Sequence, residues 1–325
     1  MRVAWFDAED WETEFLQDKT DELDIEFFEV PLNPRTAEKA KDFDAVTVFV
    51  ESKVNKEVIK EIDVDYIACR STGFDHVDIE AAENNDVSVF NVPRYGGTTV
   101  AEHTFGLILS LSRKIYSAIR KVDDGSFDHQ GLRGFDLKGK TLGVIGTGTI
   151  GKNVIRIANG FDMNVIASDP CPDKETADEL GFMYVSREDL LKKADIVSIH
   201  CPLTDGTEHL ISEEEFELMD QSVLINTSRG KIIDTEALIK ALENNNVRAV
   251  GLDVLEEECY FEDDLEYLGQ LKQKCDPEVI LEDHILLDRE DVLVTPHNAF
   301  NSQEALERIE ETTLKNLTEK ENSVV

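Results

Sequence analysis

Three side chains in the second half of the chain have the types needed to bind an anion and move a proton. Arg229 follows the apolar run 223–226, His297 follows the run 292–295, and Glu258 lies in an acidic segment between them. A guanidinium binds a carboxylate through two donors. An imidazole exchanges a proton near neutral pH, and a nearby carboxylate raises its pKa and orients the ring. Spacing alone leaves open whether these groups meet, because a lone histidine after a strand is more commonly structural and an acidic run more commonly a solvated face.

A glycine-rich segment has the spacing of a dinucleotide-binding loop. It follows the apolar run 141–145 and places Gly146, Gly148 and Gly151 in a G-x-G-x-x-G pattern. The first glycine permits a tight turn, the second lets the backbone approach a pyrophosphate, and the third lets helix and strand pack closely. The N-terminus of the helix that follows offers free N–H groups to the anion.

Asp169 stands at the end of the next apolar strand, where such a loop has its acidic partner. A carboxylate there accepts hydrogen bonds from the ribose hydroxyls and repels a 2′-phosphate. The segment therefore predicts NAD as the cofactor, in preference to NADP. The alternative is an ordinary glycine-rich turn followed by a chance aspartate.

The elements that must position these residues follow from the alternation of apolar runs and helical patterns, which predicts βαβ units and parallel sheets. The first hundred residues contain the runs 3–6, 25–30, 45–50, 66–69 and 87–92. A second unit begins at Lys140 and contains the runs 141–145, 163–167, 196–200, 223–226, 250–252 and 292–295. Residues 256–290 are predicted to be acidic and irregular. The fold class is therefore α/β, with doubly wound parallel sheets.

A long helix is predicted between the two units. Thr99 and Glu102 form a capping-box pattern, and apolar residues recur at helical spacing as far as Ile119, with Gly125 as a stop. The wide apolar face predicts either an ordinary core helix or, as we favour, a helix packed between two domains.

The composition limits the classes of partner that the protein can bind. The chain has 325 residues and a formal charge of −36, which argues against nucleic acid and anionic membranes as partners. Acidity on this scale leads to the hypothesis of a halophilic protein whose self-repulsion is screened by salt. The alternative is a solvated surface that keeps the protein soluble.

The cysteines and the apolar segments of the sequence indicate the cellular compartment in which we expect the protein. Five cysteines without a paired spacing indicate a reducing environment. No secretory leader or membrane span is visible, and we expect a cytoplasmic protein. His200, Cys201 and His209 could form part of a metal site, but core and cofactor packing explains them better, so no metal is predicted.

The motifs together resemble the D-isomer-specific 2-hydroxyacid dehydrogenase family. They occur in family order: 146–151, Asp169, 200–204, 226–230, Asp253 with Glu258, and 295–297. The resemblance implies that His297 is the acid/base, Glu258 its carboxylate partner and Arg229 the cation that binds the substrate. It also implies that NAD contacts the following further residues: Thr149, Ile150, Cys201, Pro202, Thr207, Thr227, Ser228 and Asp253.

The resemblance also implies two domains. Residues 1–100 and 296–325 would form a smaller, flavodoxin-like substrate domain, and residues 101–295 the Rossmann cofactor domain, with the active site in the cleft between them. Helices after Thr99 and Asn301 would form the hinge region.

Within the family the sequence is similar to the D-lactate dehydrogenase branch. That likeness implies that the backbone N–H groups of Thr72 and Gly73 bind the substrate carboxylate, with Tyr95 and Phe300 near a small substrate such as pyruvate. We also expect the protein to be a homodimer. Cys259 departs from the proline common in the wider family. Alternatives are another 2-oxo acid (2-oxoisocaproate, glyoxylate or hydroxypyruvate) or an NAD-sensing, corepressor-like binding protein.

Overall fold

The computed structural model describes residues 1–16, 19, 22–256 and 276–325. These residues form two compact units, one of residues 1–95 with 301–325 and one of residues 96–300. The chain passes from the first unit to the second after Tyr95 and returns after Phe300, so His297 belongs to the second unit.

The first unit is built on a five-stranded parallel sheet of order β2-β1-β3-β4-β5. Its strands are β1 (Arg2–Trp5), β2 (Asp24–Phe27), β3 (Ala45–Val48), β4 (Tyr66–Cys69) and β5 (Ser88–Phe90). Its helices are α1 (Asp10–Leu16), α2 (Lys56–Ile62), α3 (Ile79–Glu83), a 3-10 turn (Ala37–Ala40) and the C-terminal helix (Gln303–Glu319). Every residue of β3 is buried, as expected of a central strand covered on both faces.

The second unit has a seven-stranded parallel sheet of order β12-β11-β10-β9-β6-β7-β8. Its strands are β6 (Thr141–Ile145), β7 (Asn164–Ser168), β8 (Met183–Tyr184), β9 (Ile196–Ile199), β10 (Ser222–Asn226), β11 (Val247–Leu252) and β12 (Val292–Val294). Its helices are α4 (Gly97–Ser112), α5 (Ile115–Asp123), α6 (Thr149–Gly160), α7 (Lys174–Leu180), α8 (Arg187–Lys193), α9 (Glu213–Glu217), α10 (Thr235–Glu243), α11 (Pro277–Leu287) and a 3-10 turn (Gly230–Ile232).

These two sheets confirm the predicted fold class. In the second sheet the strand order reverses between β6 and β9, which makes this point the switch of a doubly wound fold. The two-residue edge strand β8 was not predicted, because a strand this short has no alternation to detect.

The predicted long helix is wrong in two respects. The helix begins at Gly97 with Gly96 as its N-cap, so Thr99 lies inside the helix and is not the cap. It also breaks at Lys114, whose φ is 51°, and α5 then has no buried residue. The break has a physical reason, since the carbonyl of Ser112 accepts the N–H of Phe135 at 2.9 Å. A chain segment distant in sequence thus takes an acceptor that the helix would use.

The expectation of an irregular segment over residues 256–290 is also wrong for its last part. Residues Pro277–Leu287 form α11, and Leu286 is buried in the core of the second unit. Proline at the first helical position is favourable because its missing N–H would have no partner there. No helix in the described part of the chain is long and apolar enough to cross a membrane.

Candidate active site

Three neighbouring strands of the second sheet end at the same edge and are followed by polar residues. In the register, Asn226 of β10 lies beside Leu252 of β11, and Leu252 lies beside Val294 of β12. Arg229, Asp253 and His297 follow these three strands. Parallel strands place their carboxyl ends together, where ligands bind in doubly wound folds.

Asp253 is the centre of this edge. Its side chain is buried, and its carboxylate accepts the backbone N–H of Asn298 at 2.9 Å and of Ala299 at 2.8 Å. The hydroxyl of Thr295 donates to it at 2.5 Å, and His103 Nε2 lies 3.3 Å away. Burial alone would raise the pKa of Asp253, but these hydrogen bonds outweigh it and lower the pKa. Asp253 is therefore an ionised anchor for residues 295–299.

His297 is held by the same anchor. Its φ is 47°, a left-handed conformation that is uncommon for a residue with a side chain. Its backbone N–H points to the carbonyl oxygens of Asp253 at 2.8 Å and Thr295 at 2.9 Å. Its ring is half-buried and meets the ring of Phe300 edge-on, with 6.5 Å between centroids. The loop after β12 thus presents the imidazole in a defined position.

Sequence reasoning missed the part that His103 plays here. His103 Nε2 contacts the hydroxyl of Thr295 at 3.0 Å and the carboxylate of Asp253 at 3.3 Å. Its position on α4, on the turn after Thr99, carried no signal of this contact because nearly two hundred residues separate the partners.

Arg229 is positioned by the turn that follows β10. The side-chain amide of Asn226 donates to the carbonyl of Arg229 at 2.9 Å, and Asn226 Oδ1 accepts the N–H of Ser228 at 3.0 Å. The Ser228 hydroxyl donates to the carbonyl of Ile199 on the next strand at 2.9 Å. The half-buried guanidinium of Arg229 donates to the Ser228 carbonyl at 2.8 Å. A planar cation is therefore fixed at the edge that carries His297.

The turn of Arg229 packs against the segment that leads to Glu258. A Cβ at Gly230 would overlap the carbonyl of Leu255 and lie 2.5 Å from the backbone nitrogen of Glu256. Glu256 is anchored in turn, because its carboxylate accepts His209 Nε2 at 2.7 Å and the Thr235 hydroxyl at 2.8 Å. Glu258 itself, like Cys259, lies outside the described residues.

The glycine loop has the conformation that its pattern predicts. Gly146 has a φ of 93°, and a Cβ there would lie 2.8 Å from the backbone of His200 and Cys201. A Cβ on Gly151 would overlap the carbonyl oxygen of Gly146, whereas one on Gly148 would meet nothing within 4 Å. The loop thus packs closely against neighbouring backbone at Gly146 and Gly151. It leaves open space at Gly148, the N-cap of α6.

Asp169 follows β7 beside this loop. It accepts the backbone N–H and the hydroxyl of Thr147 at 2.7 and 2.9 Å, and the N–H of Cys171 at 2.9 Å. Burial acts to raise its pKa, but the hydrogen bonds and Lys152 together lower it. Asp169 is therefore ionised near neutral pH, and a carboxylate can accept further hydrogen bonds beyond these three.

The other residues expected at the cofactor surround the same edge. They lie in the first turn of α6 (Thr149, Ile150), after β9 (Cys201, Pro202, Thr207) and after β10 (Thr227, Ser228). Burial raises the pKa of Cys201 to about 11, so its thiol stays protonated. Burial also lowers the pKa of His200 to about 3, so that ring is neutral. Among the residues with described positions, no three His, Cys, Asp or Glu side chains form a group that could hold a metal.

The first unit carries the remaining predicted residues. The loop after β4 contains Thr72 and Gly73, and the Thr72 hydroxyl donates to the carbonyl of Val92 at 2.9 Å. In the described ranges no acceptor takes the backbone N–H of Thr72 or Gly73. Tyr95 is half-buried, and its carbonyl accepts Arg308 Nε at 2.9 Å. The loop can therefore offer two N–H groups to an anion.

Known proteins resemble the chain over nearly its whole length. The family described as D-isomer specific 2-hydroxyacid dehydrogenase, NAD binding domain, matches residues 105–299. The D-lactate dehydrogenase of Escherichia coli K12 is 39% identical over 328 residues, which cover 98% of this chain and 96% of that protein. The pyruvate reductase structure of Chlamydomonas reinhardtii has a TM-score of 0.88 at 37% identity, covering 98% and 96% of the two chains.

A further solved structure shows a relative with its ligands. The D-lactate dehydrogenase of Aquifex aeolicus, complexed with NAD and lactic acid, has a TM-score of 0.85 at 31% identity and covers 99% of both chains. The match of the NAD-binding domain agrees with the open glycine loop and the ionised Asp169 described above. The chain therefore belongs to the D-isomer specific 2-hydroxyacid dehydrogenases, in their D-lactate dehydrogenase-like branch, and is an NAD-dependent oxidoreductase.

Proposed function

We propose that the protein uses NADH to reduce pyruvate, or a 2-oxo acid of similar size, to the D-2-hydroxy acid. The observation that carries this proposal is the common sheet edge at which Arg229 and His297 are fixed around Asp253. A cation there suits the substrate carboxylate, and an imidazole suits the proton that the new hydroxyl needs. The relatives named for lactate and pyruvate support the choice of substrate.

In this proposal the carboxylate of the substrate binds the Arg229 guanidinium through two parallel hydrogen bonds. The free N–H groups of Thr72 and Gly73 donate to the same carboxylate. His297 in its protonated form donates a hydrogen bond to the carbonyl oxygen and transfers its proton as the alkoxide forms. Glu258 stabilises the imidazolium, which keeps His297 protonated at higher pH.

The residues of the glycine loop fit NAD. The bound cofactor supplies the hydride. The open face at Gly148 and the N-terminus of α6 would hold the pyrophosphate, and Asp169 would accept the ribose hydroxyls. Thr149, Ile150 and the residues after β9 and β10 would line the remainder of the site. The Cys201 thiol beside the loop stays protonated and so adds no negative charge that would repel an anionic cofactor.

A small substrate is favoured by the aromatic ring beside the acid/base. Phe300 packs edge-on against His297 and so limits the space next to the reacting oxygen. Tyr95 would add a second apolar surface. An apolar wall of this kind favours a substrate with a methyl group over one with a long or charged side chain.

The test is a panel of 2-oxo acids with NADH, monitored by loss of NADH absorbance. The panel contains pyruvate, 2-oxobutyrate, 2-oxoisocaproate, glyoxylate and hydroxypyruvate, and chiral analysis identifies the product. We expect the highest kcat/KM for pyruvate and a D product. A protein that binds NADH but reduces none of these acids contradicts the proposal, and a preference for 2-oxoisocaproate contradicts the small pocket. His297→Ala is the inactive control.

We also propose that two copies of the chain associate through α5. Its exposed face carries Ile115, Tyr116, Ile119 and Val122, which are 43 to 55% exposed. A continuous apolar face of this kind marks an interaction surface. The helix also carries the cations Arg120 and Lys121, which reduce the local repulsion between two copies of charge −36.

Sedimentation of the full chain tests this association. Wild type is expected to be a dimer and Ile119→Lys a folded monomer that still melts cooperatively. Met183→Lys, at another exposed apolar residue of the second unit, is the control and should remain dimeric. A dimeric Ile119→Lys protein would contradict the assignment of the interface to α5. A monomeric wild type would contradict the association itself.

We further propose a cytoplasmic, salt-adapted protein. The described cysteines Cys69, Cys171 and Cys201 are free thiols, which is common in a reducing compartment. The charge of −36 would be screened within a few Å in molar salt.

A further inference from the structure

A buried ionic cluster lies at the start of the loop that carries Thr72 and Gly73. Arg70 directly follows β4, and its side chain is 3% exposed. Its Nη1 forms an ion pair with Glu12 of α1 and lies 3.5 Å from Glu310 of the C-terminal helix. Both carboxylate side chains are also almost fully buried, so two acids share one guanidinium out of contact with water.

The remaining contacts of Arg70 fix it in place. Its Nη2 donates to the carbonyls of Phe6 at 2.5 Å and Asp7 at 2.9 Å. Its guanidinium also lies over the rings of Trp5 and Phe49. Arg70 is thus committed to the protein interior, and its contribution to the adjacent loop is to fix where that loop begins.

The C-terminal helix reaches the same loop by a second route. Asn316 Nδ2 donates to the carbonyl of Asn91 at 2.8 Å, and Asn91 Nδ2 donates to the carbonyl of Thr72 at 2.7 Å. Glu310 and Asn316 therefore act on residues 70–73 from one helix, the first through Arg70 and the second through Asn91. The position of the two free N–H groups depends on this helix.

The charge of the cluster is unbalanced. Glu310 Oε2 is buried and has no hydrogen-bond partner among the residues with described positions. Burial, and to a smaller extent the charge of Glu9, raise the pKa of Glu310 to about 7 against the opposing effect of Arg70. The other charged groups of the cluster are Glu12 on α1 and Asp7 between β1 and α1. With Glu310 neutral, the Arg70–Glu12 pair is balanced, and ionisation of Glu310 adds a buried negative charge.

We propose that Glu310 is a positioning residue that acts through Arg70 on the loop 71–73, and that its ionisation weakens binding of the anionic substrate. This inference rests on the proposed function, in which Thr72 and Gly73 bind the substrate carboxylate. A buried charge beside Arg70, the residue that precedes this loop, is poorly screened and repels a second anion. The KM for the 2-oxo acid should therefore rise as the pH passes through about 7.

The same ionisation has a defined effect on stability. The pKa of Glu310 is higher in the folded protein than its ordinary value of 4.5, so the folded state binds the proton more tightly. The stability linked to this group is therefore greatest at low pH and is lost as the pH rises from about 4.5 to about 7. Glu310→Gln should remove this loss.

The experiment compares full-length wild type, Glu310→Gln and Glu311→Gln with pyruvate and saturating NADH between about pH 6 and 8.5. Glu311 is the control, since it is exposed and pairs with Lys19 at 2.8 Å. We expect the KM of wild type to exceed that of Glu310→Gln by up to about tenfold at the highest pH and to approach it at the lowest. The kcat values should agree at each pH, and Glu311→Gln should follow wild type.

His297 is present in all three proteins, so the difference between their KM profiles reports on Glu310. Melting curves over the same pH range check the folded state and should show Glu310→Gln gaining stability over wild type above pH 7. If that gain appears while the KM profiles coincide, the positioning role is wrong. If neither the melting curves nor the KM profiles differ between wild type and Glu310→Gln, the proposed ionisation of buried Glu310 is wrong as well. A wild type that reduces no 2-oxo acid contradicts the proposed function instead.

Discussion

Gly230→Ala tests whether the contact between the turn of Arg229 and the segment 253–256 sets the active geometry. An added Cβ would lie 2.5 Å from the nitrogen of Glu256 and still closer to the carbonyl of Leu255. Both neighbours are backbone atoms and cannot rotate away. Ordinary carbon contacts need about 1 Å more, and a misplacement of about 1 Å in an active site can lower the rate about 100-fold. We expect kcat/KM for pyruvate to fall by that order.

Steady-state kinetics with NADH, combined with NADH binding by fluorescence, measure this effect. The glycine loop lies on other strands, whereas Thr227 and Ser228, on the same turn as Gly230, are proposed cofactor contacts, so we expect kcat/KM for pyruvate to fall more than the affinity for NADH. Gly106→Ala is the matched control, because Gly106 lies within α4 and an added Cβ would meet nothing within 4 Å. That variant should keep wild-type kinetics and a melting temperature equal to or above that of wild type, since alanine favours a helix.

Two results would refute the reasoning. A folded Gly230→Ala protein with kcat/KM within twofold of wild type would show that the backbone adapts without displacing Arg229. An equal loss of activity in Gly106→Ala would show that the loss does not come from the contact with Leu255. Melting curves of both variants separate a local displacement from general unfolding.

Three further perturbations address the other proposed roles. His297→Ala should lower kcat by about 10²–10⁴-fold in the NADH absorbance assay, while NADH binding by fluorescence stays intact. Asp169→Ala should raise the ratio of kcat/KM for NADPH to that for NADH, because it removes the repulsion of a 2′-phosphate; an unchanged ratio would contradict the role of Asp169. Molar KCl should raise the melting temperature and lower the KM for pyruvate, because it screens the charge of −36; flat salt profiles would refute the halophilic hypothesis.

The sheets were predictable because their strands are continuous apolar runs. β4 and β6 match the predicted runs 66–69 and 141–145 residue for residue, and buried parallel strands give this signal strongly. The break at Lys114 was not predictable, since its cause is a hydrogen bond from Phe135 that the periodicity of the helix does not contain. The same holds for α11. Its acidic residues interrupt the apolar pattern, so the sequence does not reveal that Leu286 is buried in the core of the second unit.

The candidate site was predictable where a local pattern carries the chemistry. Gly146, Gly151 and Asp169 stand in a fixed spacing, and the structure gives the two glycines the close contacts that the spacing requires. The contacts of His103 with Thr295 and of Glu310 with Arg70 join residues far apart in sequence. No pattern in one chain marks such pairs, because they are created by the packing of whole elements.

The distribution of charge explains how a protein of −36 can bind two anions. The acids at the site are hydrogen-bonded by the protein itself: Asp253 by Thr295, Asn298 and Ala299 after β12, with His103 of α4 nearby, and Asp169 by the N–H groups of Thr147 and Cys171. Their charge is thus offset locally, while the surface acids act through solvent over distances that salt shortens. The contact proposed between Arg229 and the substrate carboxylate is shorter than any such screening length. Salt should therefore weaken the repulsion between the protein surface and its ligands while leaving the contact with Arg229 in place.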